Sequence, residues 1–131
     1  MKKNESYYAE YAQLCREADK IDPSLFDEYG VQRGLRDKNG NGVLAGLTNI
    51  ARIDSFKKVD GQKVPCEGRL WYRGYDCIEL VNGFRSKRYG FEEIAYLLLF
   101  GELPKKQELE QFHHILAANR TLPTNFTRDV I

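Results

Sequence analysis

Two arginines and an indole alternate along one short segment, Arg69, Trp71 and Arg73, and on an extended chain these three project to one face while Leu70 and Tyr72 take the other. Guanidinium groups beside an indole can hold an anion by charge and by stacking. Pairing with the nearby carboxylates of Glu67, Asp76 or Glu79 is the competing use, and exposed arginines commonly do no more than that. Arg33 and Arg36 lie among glycines, where open backbone lets a phosphate approach, and ordinary solvated charge is again the alternative.

The run Asp37-Lys38-Asn39-Gly40-Asn41-Gly42 matches the start of an EF-hand calcium loop. Its twelfth position is Thr48, where such a loop needs a glutamate to bind through both oxygens, so a surface glycine turn is the expectation. The glycines at 40, 42 and 46 have neither the preceding apolar strand nor the following amphipathic helix of a dinucleotide loop. His113 and His114 are the two histidines, and helix neighbours point about 100° apart, so they make a poor metal pair. None of Ser6, Ser24, Ser55 and Ser86 sits in G-x-S-x-G, and Cys15, Cys66 and Cys77 have no recognisable nucleophile setting. No catalytic residue and no metal ligand is assigned.

The elements that position these groups follow from periodicity. Tyr8, Tyr11, Ala12, Cys15 and Ala18 give a helix from Glu5 to Ala18 one apolar face. Asp22-Pro23 opens a short helix to Tyr29, and glycines from 30 to 46 forbid continuous helix. Ile50–Val59, the Asp60-Gly61 turn and Gln62–Val64 read as a hairpin, with Arg69–Tyr72 as a third strand. Asp76 caps a helix through Val81 that Gly83 ends. Phe91–Phe100 is apolar on both sides: Phe91, Ile94, Ala95, Leu98 and Leu99 on one, Tyr96, Leu97 and Phe100 on the other. A further helix runs from Leu103-Pro104 to about Asn119, and Thr124 is a new N-cap.

Bulk properties narrow the class. The 131 residues suit one domain, and 20 basic against 19 acidic side chains leave a net charge of +1, which draws in neither nucleic acid nor an anionic membrane. The longest apolar run, Ile94–Phe100, is far short of the roughly 20 residues that span a bilayer. Three cysteines without a C-x-x-C pair suit reduced thiols, and a cytoplasmic location is the expectation.

The words RGL at Arg33, GVLAGLTNIAR at Gly42, EGRLWYRGYD at Glu67 and FEEIAYLLLFGELP at Phe91 occur in an order and spacing that resemble citrate synthases, including the related methylcitrate synthases. The resemblance implies an N-terminal segment of such an enzyme: residues 1–29 a helical extension, 30–75 a glycine-rich turn and β-ribbon, 76–131 helices of the large domain. It implies a mainly α fold with a small antiparallel β-ribbon, the N-terminal part of an all-α architecture. It implies a homodimeric parent that condenses acetyl-CoA with oxaloacetate, without a cofactor, through an aspartate base and two histidines. Those motifs do not match His113 or His114, so the segment alone is expected to be inactive. Arg33 resembles the place where some members bring an arginine to the CoA phosphates. A non-enzymatic module for subunit pairing or anion binding is the alternative, and propionyl-CoA is the alternative substrate within the family.

Overall fold

The structure, a computed structural model, describes residues 2–85 and 90–130, with the side chains of all but 2–5 and 127. Ser86 lies outside them. In chain order the elements are α1 (Lys2–Ala18), α2 (Ser24–Glu28), β1 (Ala51–Val59), β2 (Gln62–Tyr72), β3 (Tyr75–Asp76), α3 (Cys77–Phe84), α4 (Gly90–Phe100), α5 (Lys106–Ala118) and α6 (Phe126–Val130). The strands form one antiparallel sheet in the order β1-β2-β3.

The expectation of a mainly helical fold with a small ribbon is corrected: among the described residues the helices stand beside a three-stranded antiparallel sheet, a mixed α/β composition. The ribbon is larger than the turn signals suggested because β2 runs without a break through Glu67 and Gly68 to Tyr72. A bulge between Asp54 and Phe56 absorbs the mismatch, so the stretch Arg69–Tyr72 continues β2 instead of forming a strand of its own. Asp60 and Gly61 turn the first hairpin at φ 50° and 78°, as a two-residue turn with two positive φ angles requires. Arg73 and Gly74 turn the second at φ 47° and 87°, and Tyr72 pairs with Tyr75 across them.

Packing is concentrated where α1, α4 and α5 meet. Tyr11 stacks on Phe100 at 5.0 Å between centroids, and Tyr96 meets Phe112 edge-on at 5.5 Å. Leu97 is fully buried beside them. The face of α1 turned inward carries Tyr7, Tyr11, Cys15 and Ala18, while Tyr8 is largely exposed and its hydroxyl accepts from Asn119 Nδ2 at 3.0 Å. Of the two apolar sides expected for α4, this core takes the one with Tyr96, Leu97 and Phe100. The other is only partly covered: Ile94, Ala95 and Leu98 are half-buried, while Phe91 is 79% and Leu99 46% exposed.

Helix boundaries follow local chemistry. The Asp76 carboxylate accepts from Ile78 N at 2.8 Å and Glu79 N at 3.4 Å at the start of α3, which then runs past Gly83 to Phe84. Gly101, at φ 85°, ends α4 by donating its N–H to Leu97 O at 2.8 Å. Glu108 accepts from Lys105 N at 2.7 Å and closes the first turn of α5.

Candidate functional site

Arg73 is the most heavily bonded side chain on the ribbon. Its Nε donates to Leu98 O at 3.1 Å, Nη1 to Ala18 O at 2.9 Å and Asn49 Oδ1 at 2.7 Å, and Nη2 to Leu98 O at 2.8 Å and Asp19 Oδ1 at 2.9 Å. All five N–H groups of a guanidinium are thereby used. Only 5% of the side chain is exposed. Two of its acceptors are carbonyls in the last turns of α1 and α4, where the negative ends of two helix dipoles favour a buried cation. A left-handed φ at a non-glycine residue costs roughly 1–2 kcal/mol, and this network is what holds it. Arg73 therefore joins α1, the ribbon and α4, and it has no donor left for a ligand.

The other members of the arginine face are similarly engaged. Arg69 pairs with Asp76 at 3.2 Å, the carboxylate partner considered from sequence. Trp71 Nε1 donates to Asp54 Oδ2 at 2.8 Å, and Arg52 lies 4.9 Å from the centre of the Trp71 ring while pairing with Asp54 at 3.1 Å. The charges of Arg52 and Arg69 are balanced by those of Asp54 and Asp76, so this face carries no surplus to hold an anion. Sequence reasoning passed over Arg52, Asp54, Asp19 and Asn49. Asp54 comes to Trp71 through the register that the bulge sets, and Asp19 lies 54 residues from Arg73 along the chain, so neither contact had a local signal.

Around Arg33 the backbone is open. The residue is exposed and makes no hydrogen bond or ion pair with any described residue, while Gly34 beside it takes φ 102°. Arg36 instead donates to Gly40 O at 3.0 Å. Asp37 Oδ1 accepts from Asn39 N and Asn41 N at 2.8 Å each, and Oδ2 from Asn41 Nδ2 at 3.1 Å. These bonds, that from the Asn41 amide first, hold the Asp37 carboxyl below its ordinary range. The loop that resembled a calcium site thus turns its acid onto its own backbone.

His113 is half-buried and His114 exposed, with ring centres 5.9 Å apart. His114 borders a cleft of about 460 Å³ between α1 and α5, with Tyr7, Gln107, Glu110 and Gln111. Among the described residues no group of three or more histidine, cysteine or acidic side chains is arranged to hold a metal. Burial pushes the Cys15 and Cys77 thiols up, away from the thiolate a nucleophile needs. No described helix is long and apolar enough to cross a membrane.

A family model described as "Citrate synthase, C-terminal domain" matches residues 38–131. The chain belongs to the citrate synthase family. It is 44% identical to the citrate synthase of Saccharolobus solfataricus over 51% of this chain and 16% of that protein. It is 34% identical to 2-methylcitrate synthase 1 of Corynebacterium glutamicum over 70% of this chain and 19% of that protein. With citrate synthase 1, peroxisomal, of Arabidopsis thaliana the identity is 31% over 71% of this chain and 18% of that protein. The chain thus spans less than a fifth of the length of these citrate synthase relatives. No solved structure matches it.

The matched model is that of the C-terminal citrate synthase domain, which corrects both the expected N-terminal segment and the expected N-terminal part of an all-α fold. Motifs such as EGRLWYRGYD carry the constraints of a ribbon and its turn, and these are local. Nothing in them encodes distance from a terminus of the parent protein. The citrate synthase match includes the ribbon, Arg73 and α3 to α6, whereas α1, α2 and Arg33 precede it.

Proposed function

We propose that this chain is a scaffold-forming part of an enzyme that condenses acetyl-CoA with oxaloacetate and, with water cleaving the thioester, gives citrate and CoA. The family match over residues 38–131 carries this reading. In this reading the groups that deprotonate the acyl methyl and polarise the keto carbonyl lie outside these 131 residues. Arg73, with every donor committed to the protein, holds the ribbon against α1 and α4, and the open face of α4 with Phe91 and Leu99 packs on the rest of the parent protein. Arg33, exposed and unengaged among the described residues, meets the CoA phosphates in the parent. The parent works in the cytoplasm as a homodimer.

The test has two arms. The complete parent, given acetyl-CoA and oxaloacetate, releases free CoA thiol, and the isolated 131-residue chain does not. Citrate formation by the isolated chain, lost on replacing His113 or His114, overturns the assignment. In the parent, Arg33→Ala raises the KM for acetyl-CoA by about tenfold, the loss of roughly one charge-assisted contact, and leaves that for oxaloacetate unchanged.

A second acyl donor is favoured by two relatives. Besides the Corynebacterium protein, 2-methylcitrate synthase of Shewanella oneidensis is 43% identical over 41% of this chain. In that reading the parent uses propionyl-CoA, and the ratio of kcat/KM for the two acyl-CoA substrates decides between them.

A further inference from the structure

Three asparagines of this chain precede a glycine: Asn39-Gly40, Asn41-Gly42 and Asn82-Gly83. Such a step can react with itself. The glycine nitrogen gives its proton to solvent base and attacks the side-chain Cγ of the asparagine; the new C–N bond closes a succinimide ring, and the Cγ–Nδ2 bond breaks as ammonia leaves with a proton from solvent. Water then opens the ring at either carbonyl and leaves an aspartate or an isoaspartate, whose main chain runs through Cβ and Cγ. Glycine favours the reaction because it has no Cβ to crowd the attack and restricts the backbone least. The other asparagines are followed by residues with a Cβ.

The fold treats the three steps differently. Asn82 lies inside α3, where the N–H of Gly83 is committed to the helix. Asn41 is bonded to Asp37 through three of its atoms: its N donates to Oδ1 at 2.8 Å, its Nδ2 donates to Oδ2 at 3.1 Å, and its carbonyl oxygen accepts from Asp37 N at 2.9 Å. Its side chain cannot swing onto the Gly42 nitrogen without giving up the carboxylate. Asn39 is exposed, and its side-chain amide makes no hydrogen bond with any described residue. Only backbone bonds restrain it, from Asn39 N to Asp37 Oδ1 at 2.8 Å and from Gly40 N to Asp37 O at 3.1 Å. No atom lies within 4 Å of the place a Cβ on Gly40 would take, so water and base reach the reacting nitrogen.

We propose that Asn39 is a site of spontaneous deamidation, the first of the Asn-Gly steps to react, and that Asp37 shields Asn41 behind it. The product sets a new carboxylate beside that of Asp37. Isoaspartate also lengthens the main chain between the Asn39 and Asn41 amides, both of which Asp37 Oδ1 holds at 2.8 Å, so the two bonds are no longer kept together. Asn41 then loses its restraint and follows. The inference rests on the chemistry of this loop and is independent of the proposed reaction.

Peptide mapping by mass spectrometry of the 131-residue chain, aged at mildly alkaline pH and probed for isoaspartate, tests it. In the folded chain Asn39 converts first, about tenfold faster than Asn41, the worth of roughly one charge-assisted hydrogen bond, while Asn82 stays intact. In urea the three steps convert at similar rates, because the order is imposed by the fold. Asp37→Ala raises the rate at Asn41 about tenfold relative to that at Asn39, with the circular dichroism of the parent sequence retained. Conversion of Asn41 or Asn82 before Asn39 in the folded chain overturns the proposal, as does an Asn39 that stays intact there while the unfolded chain reacts. A preference for Asn39 over Asn41 that persists unchanged in urea or in Asp37→Ala equally overturns it.

Discussion

The guanidinium of Arg73 donates twice to the carbonyl oxygen of Leu98, from Nε at 3.1 Å and from Nη2 at 2.8 Å, and so ties the second ribbon turn to the last turn of α4. Removing the side chain strands the carbonyl of Leu98 and takes from that of Ala18 one of its two donors, Asn49 Nδ2 at 2.9 Å being the other. Arg73→Ala is expected to lower the unfolding free energy by roughly 3 kcal/mol, read from urea denaturation at neutral pH. Arg73→Lys keeps the charge but has three donors in place of a planar fork of five, and should recover less than half of the loss. A lysine variant as stable as the parent sequence would show that the fork geometry is not what matters.

Arg120 pairs with Glu92 at 2.9 Å, and the exposures of the two side chains are 59% and 10%. The exposed arginine is worth little by itself, but its removal leaves a nearly buried carboxylate without its cation. Arg120→Ala should cost about 1–2 kcal/mol. Adding Glu92→Gln should return part of that, because a neutral amide is easier to bury than a charge, and thermal melts of the single and double variants measure the coupling.

Burial, followed by the charge of Glu108, pushes the Tyr96 phenol up to about 12 from 10.0. The unfolded chain gives up this proton near 10 while the folded chain retains it, so the contribution to stability is complete below pH 10 and falls from there toward 12. Ultraviolet absorbance of phenolate should show one tyrosine titrating last, at about 12, and Tyr96→Phe should abolish that step. Tyr11, raised above the ordinary 10.0 chiefly by burial, remains in the variant.

Asp37 has the opposite sign. Its carboxyl is held below the ordinary 3.8, chiefly by the Asn41 amide, so the loop gains from the ionised form above that pH and loses the gain as pH falls through the folded value. The side-chain carbonyl carbon of Asp37 should titrate below 3.8 by NMR. Asp37→Ala should speed exchange of the Asn39 and Asn41 amides, which the carboxylate accepts at 2.8 Å each. Calcium should leave those resonances in place, because the acid is already committed to the backbone.

Much of the fold was legible wherever the controlling chemistry is local. Asp60-Gly61 and the Asp76 cap were readable because a turn or cap is decided by residues a few positions apart. The second turn was not, since Arg73-Gly74 lacks the Asn or Asp that usually tolerates positive φ, and its compensation comes from acceptors 24 to 55 residues away. Of the candidate site, the Arg69–Asp76 pair is one of the carboxylate pairings legible from sequence, whereas the role of Arg73 was not legible there.

By itself the sequence determined the helices, the first hairpin turn and the apolar character of α4, because backbone propensity, capping and periodicity act within one or two turns of chain. Tertiary structure alone decided that Arg73 is a buried joint and not a ligand clamp, that Glu92 is drawn inside against an exposed Arg120, and which apolar residues of α4 stay exposed. Those outcomes depend on which carbonyls, charges and rings are brought together from distant parts of the chain, and the desolvation that makes each contact strong exists only once the chain has folded.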